Sequence, residues 1–113
     1  GGLAAYDTHA LDAYRSCWRR PATIAAMCND YRAAIEIDIT HDAEDLDRRV
    51  ECPSLVLYGS DGIMARAYDV AATWSDRLAD MTSVAMPGGH FFPDLHPVET
   101  ATALTEFLGR QTL

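Results

Sequence analysis

Ser54-Leu55-Val56-Leu57-Tyr58-Gly59 is short, almost wholly apolar and closed by glycine, the pattern of a strand buried within a parallel sheet. Cys52-Pro53 sets it off from the preceding chain. Beyond it, the spacing predicts a helix over residues 65–78 and a second short strand over 82–86. Pro87-Gly88-Gly89 ends that strand, and Pro97 opens an amphipathic helix expected to turn Ala101, Leu104, Phe107 and Leu108 inward. Strand, helix, strand, loop, helix implies parallel pairing through a right-handed crossover, hence an α/β fold class. Two strands are too few for a parallel sheet with both faces covered. The chain, which opens on Gly1, is therefore expected to be part of something longer.

Upstream of the strand, apolar residues recur at spacings of three and four. Asp7 or Thr8 suits a helix cap, and Leu11, Tyr14 and Trp18 share one face of the helix that follows. Arg20-Pro21 ends that helix and places Pro21 in the first turn of the next, which carries Ile24, Met27, Cys28, Tyr31 and Ile35 at helical spacing. Residues 40–50 have acids early and Arg48 and Arg49 late, which suits a short surface helix by dipole complementarity. Two segments result: residues 1–50, helical after a loop tail over Gly1 to Tyr6, and 51–113, built from two strand-helix units. Neither internal repeats nor low-complexity stretches are visible.

Of 113 residues, 49% are hydrophobic, enough for a modest core. The net charge is −8, and all nine basic residues are arginines. That balance argues against nucleic-acid backbones and anionic membrane surfaces as partners, since both need clustered cations. Cys17, Cys28 and Cys52 are odd in number and widely spaced, which favours reduced, partly buried thiols on helices of a cytoplasmic protein over a disulfide framework or a zinc site. The acids of residues 42–47 lack the glycine and alternation of a calcium loop. No phosphate loop or dinucleotide fingerprint is present, so neither a metal nor an organic cofactor is expected.

His90 is the residue with the strongest chemical signal. It follows a strand and a glycine-rich turn, the place where open α/β sheets gather functional groups. Glycines at 88 and 89 allow a sharp turn, and an imidazole titrates near neutrality, as a general base must. The competing reading is a loop histidine held by a backbone carbonyl. His96, before Pro97, reads as a helix-start residue, and His41 as a solvated or capping side chain. Trp18 and Trp74 are expected in the core. Asp61, in Ser60-Asp61-Gly62, is either an ordinary turn residue or the acid that orients His90.

The order of elements around Gly89-His90-Phe91 resembles the carboxyl-terminal part of α/β-hydrolases. Within that superfamily the chain resembles haloacetate (fluoroacetate) dehalogenases. The residues that carry this are Asp12-Ala13-Tyr14-Arg15, Met27-Cys28-Asn29-Asp30-Tyr31-Arg32-Ala33, Asp38 with His41-Asp42, and Gly89-His90-Phe91. They span almost the whole chain; the Met27 to Ala33 run is the most specific, whereas Gly-His-Phe is a superfamily-level motif. The resemblance implies that residues 1–50 are the end of a helical cap and the return to the core. It also implies that His90 activates water to hydrolyse an ester between a nucleophilic Asp and the substrate, and that Tyr31 helps hold the departing halide.

This sequence also departs from the full pattern. It has no Gly-x-Asp-x-Gly-like nucleophile elbow, and no arginines matching those that clamp the substrate carboxylate. Gly62 stands where many α/β-hydrolases place the orienting acid, with Asp61 one residue early; the dehalogenase group likewise has no acid at that point. The expected function is hydrolysis of the carbon–halide bond of a short haloacid by the longer protein, the chain alone being inactive. An epoxide hydrolase or esterase with a similar ending remains open, as does a non-catalytic interaction module. Expected partners are a small-molecule haloacid and a second copy in a homodimer; in the interaction-module reading, a partner chain covers the exposed apolar sheet.

Overall fold

A computed structural model describes residues 2–111. The chain forms two compact units, Gly1–Asp47 and Arg48–Leu113; the division expected from sequence lay between residues 50 and 51. Backbone pairing explains where it falls. The Val50 N–H donates to the Arg77 carbonyl at 2.8 Å, and the Ala79 N–H donates to that of Val50 at 2.9 Å. The Arg49 guanidinium donates to the carbonyls of Ser75 and Leu78 at 2.7 and 2.9 Å. Residues 49 and 50 are thus stitched to the second unit before the first strand begins.

The first unit is helical. Helix α1, Thr8–Trp18, begins where Asp7 accepts the Ala10 N–H at 3.0 Å, satisfying a donor that the first turn leaves unpaired. Leu11 is buried on it. Tyr14 and Trp18 stack with ring centroids 6.0 Å apart, yet Trp18 is 49% exposed, which corrects its expected core placement. Helix α2, Pro21–Ala33, starts on its proline as expected. It does not stop at a cap: the chain continues through a π-helical turn, Ala34–Asp38, into α3, Ile39–Glu44. No glycine or proline interrupts this run, so the helical path persists. The separate helix expected over 40–50 is therefore the tail of a longer one, ending at Glu44. The stripe of Ile24, Met27, Tyr31 and Ile35 is exposed.

In the second unit, β1 (Ser54–Gly59) and β2 (Met81–Met86) pair in parallel, in register from Ser54 with Met81 to Gly59 with Met86. Both strands match the sequence pattern within one residue. The helix expected over 65–78 is instead two pieces, α4 (Ile63–Ala67) and α5 (Val70–Ser75). Tyr68 is extended at the break, and the Asp69 side chain accepts the Ala72 N–H at 2.9 Å to start α5 afresh. Trp74, on α5, is 47% exposed and also not a core residue.

After β2 come a single turn, α6 (Phe92–Leu95), and then α7 (Pro97–Arg110). Helix α7 packs on β2, with Thr100, Ala103 and Phe107 as its half-buried face. Of the residues expected inward, only Phe107 is; Ala101, Leu104 and Leu108 are exposed. Leu11 and Met86 are the buried hydrophobic side chains among the described residues. Residues 54–58 of β1 are half-buried rather than buried, as follows when a strand of interior composition has one strand neighbour. Among the described residues, no helix is long and apolar enough to cross a membrane.

Candidate active site

The loop that carries His90 is set by contacts between the ends of the two strands. Gly59, the last residue of β1, is buried, and a Cβ there would overlap the Gly89 carbonyl and lie 2.6 Å from that of Gly88. Only glycine fits this approach. The Ser60 N–H donates to the Met86 carbonyl at 2.8 Å, and the Asp61 N–H donates to that of Gly88 at 2.9 Å. Gly88 adopts φ +85°, a left-handed conformation costly for other residues. The sharp turn therefore rests on Gly88; Gly89 has no positive φ. The Phe92 N–H then donates to the Gly89 carbonyl at 3.1 Å, leading the chain into α6.

His90 emerges from this turn just beyond the carboxyl end of β2 and is exposed. Its ring meets that of Phe91 edge-on, centroids 5.0 Å apart and planes at 80°. Among the described residues no hydrogen bond reaches the imidazole, so the backbone carbonyl of the competing reading is not found. Among the described residues neither ring nitrogen has a hydrogen-bond partner.

A cavity of about 520 Å³ opens beside it, lined by His90 and Phe92 together with Tyr58, Met64, Tyr68 and Trp74 among others. No aspartate, glutamate or arginine lines it. It is an open, largely apolar groove with an imidazole at its edge; Met64, Tyr68 and Trp74 in its lining are themselves exposed. It holds no cation to receive a carboxylate.

The other expected site residues are placed differently. Asp61 is exposed, and its backbone is part of the His90 turn; no hydrogen bond joins its carboxylate to His90 among the described residues. Tyr31 lies on α2 in the first unit and is 76% exposed. His96 does begin α7, as expected, but through its backbone, and its ring rests against Gly88. His41 is an exposed residue of α3. Cys17 is half-buried on α1 and Cys28 exposed on α2, both as free thiols; Cys52 is exposed on a loop rather than a helix.

No protein-family model matches the chain. It is 46% identical over 107 residues to a fluoroacetate dehalogenase from a Burkholderia species. That match covers 95% of this chain and 35% of the relative. A solved structure from Nostoc sp. PCC 7120, provisionally named an α/β-hydrolase, superposes with a TM-score of 0.90 at 43% identity over 98% of this chain. The chain belongs to the α/β-hydrolase superfamily. A second solved structure, provisionally named an acyltransferase, from Salmonella enterica, gives a TM-score of 0.86 at 34% identity over 95% of this chain. The chain spans little more than a third of each relative's length, 35% to 38%. Its order of strand, helices, strand, His turn and helix is the carboxyl-terminal part of the superfamily's fold.

Sequence reasoning missed the cavity, whose lining comes from β1, α4, α5 and the His90 loop together. A partial signal existed: Tyr58, Tyr68 and Trp74 are bulky residues close in sequence, and Asp69 between them is a cap residue. It also missed the seating of His96 on Gly88, for which the sequence offered no signal.

Proposed function

We propose that this chain supplies the water-activating histidine and a halide-contacting tyrosine to an α/β-hydrolase that cleaves the carbon–halide bond of short haloacids. The observation that carries the reading is His90, exposed just past the end of β2 and without a hydrogen bond to its ring among the described residues, in a chain 46% identical to a fluoroacetate dehalogenase. Residues 1–50 then belong to the cap, and residues 51–113 to the sheet domain.

The chemistry follows in two steps. A carboxylate oxygen of an Asp outside this chain bonds to the substrate carbon while the carbon–halogen bond breaks and halide leaves. A water oxygen then attacks the carbonyl carbon of the resulting ester, its proton passing to His90, and the hydroxyacid departs with the Asp carboxylate restored. The Tyr31 hydroxyl donates to the departing halide as its charge develops. The cation that holds the substrate carboxylate is assigned to the rest of the protein, consistent with a cavity lining free of arginine. Asp61 is the candidate orienting acid within this chain, to be tested by Asp61→Asn.

The deciding experiment is fluoride release by the longer hydrolase and its His90→Asn variant. His90→Asn is expected to release one equivalent of halide and stall, with the ester visible by intact mass. Continued turnover by the variant would refute the base assignment. The acyltransferase neighbour favours a second reading, ester or acyl chemistry on the same His, which an ester substrate panel would reveal as activity without halide release. The 113-residue chain alone is expected to be inactive in both assays.

A further inference from the structure

We propose that His96 is a positioning residue for His90: its imidazole seats the Gly88 turn and so sets where the candidate base emerges. The proposal rests on the reading of His90 as a base.

The His96 ring lies where a side chain on Gly88 would project, with Cδ2 and Nε2 each 3.1 Å from that Cβ position. His96 is itself anchored on both sides through its backbone. Its N–H donates to the Phe92 carbonyl at 2.7 Å, closing α6, and its carbonyl accepts from the Thr100 N–H at 3.1 Å and the Thr100 hydroxyl at 2.8 Å, opening α7. Nδ1 is 3.9 Å from a Glu99 carboxylate oxygen, on the ring edge away from Gly88. The segment from Gly88 to His96 therefore closes on itself through this ring, and His90 rides within it.

A ring in this place matters because Gly88 is at φ +85°. A glycine there has wide conformational freedom, and rotation of its peptide planes would swing His90. The Asp61 N–H holds the Gly88 carbonyl on one side, and the His96 ring fills the other. Helix α7 is thereby coupled to the base through one side chain, not only through the chain that joins them.

The test compares His96→Ala and His96→Phe, the latter keeping an aromatic ring of similar breadth. In the 113-residue chain, amide exchange and His90 ring resonances are followed by NMR. In His96→Ala, the Asp61 and Phe92 amides, which bond Gly88 and Gly89, should exchange about tenfold faster while amides of β1 and β2 hold, the mark of local opening. The His90 ring protons should shift as the contact with Phe91 changes, and His96→Phe should restore both. In the longer hydrolase, kcat should fall in His96→Ala with KM little changed, and recover in His96→Phe. Unchanged exchange at Asp61 and Phe92, or an equal rise throughout the sheet, overturns the proposal. Undiminished turnover in His90→Asn overturns the base reading instead, whatever the exchange data show.

Discussion

Gly59, at the end of β1, and Gly89, immediately before His90, are in direct backbone contact, with the space for a Cβ on Gly59 taken by the Gly89 carbonyl. The contact joins the tips of two parallel strands and fixes the height at which the His90 turn leaves the sheet. It makes the placement of the candidate base a property of strand packing as well as of the loop's own residues.

Gly59→Ala should therefore move the turn or separate the strand ends. The added methyl meets backbone, which cannot rotate away, so a loss of about 1–3 kcal/mol is expected, as for other overpacked sites. Urea unfolding of the chain, with His90 ring resonances as a local probe, would check both the stability and the displacement. A midpoint within error of the parent would contradict the close approach.

Arg49 joins the segment before β1 to the end of α5 by donating to two carbonyls, those of Ser75 and Leu78. The Ser75 carbonyl, in the last turn of α5, lacks a partner within the helix, and Leu78 lies beyond that helix, so Arg49→Ala leaves both carbonyls to water. The site is exposed, which keeps the expected cost to about 1 kcal/mol. Both bonds come from one terminal nitrogen, Nη2, so Arg49→Lys, whose ammonium also has several donors on one nitrogen, should recover most of the loss. Thermal melts of the three proteins provide the comparison.

Asp7 gives helix α1 a dependence on pH. Accepting the Ala10 N–H, chiefly, holds its carboxyl below the usual value of 3.8. A carboxyl lowered on folding contributes stability that is fully present above its unfolded value and is lost as pH falls through the folded one. Helicity from α1 should thus be level above about pH 5 and decline below 3.8. Asp7→Asn should keep the cap and remove this part of the decline, whereas Asp7→Ala should weaken α1 at every pH. Circular dichroism between pH 2 and 7 would show a flat Asp7→Asn difference curve if Asp7 does not act this way.

Tyr31→Phe removes a hydroxyl from an exposed ring on α2 and should leave folding unchanged. If, as proposed, the hydroxyl stabilises departing halide in a longer haloacid hydrolase, that protein should lose about tenfold or more in kcat on fluoroacetate. The loss should be smaller on bromoacetate, whose leaving group needs less help. Equal activity of the two proteins on fluoroacetate would remove Tyr31 from the mechanism.

Much of this was readable without coordinates because its causes are local. Six residues from Ser54 to Gly59 have the composition and the closing glycine of a strand, and they form it. Asp7, Pro21 and Pro97 start their helices because caps and N-terminal prolines act within one turn. His90 is found in a turn after a strand for the same reason. The break at Tyr68-Asp69 is local too: the Asp69 side chain caps α5 within its first turn, a signal that the single helix expected over 65–78 leaves out.

What only the tertiary structure decided depends on segments far apart in the chain. Whether Leu104 faces inward is settled by which stripe of α7 meets β2, and that stripe runs through Thr100, Ala103 and Phe107. Whether Trp18 and Trp74 are core depends on what covers them, which periodicity does not encode. The meeting of Gly59 with Gly89, and of His96 with Gly88, arises because parallel pairing brings two strand ends together and α6 folds the chain back on its turn. Sequence determined that a histidine follows a strand. Packing between distant backbones decided where that histidine stands.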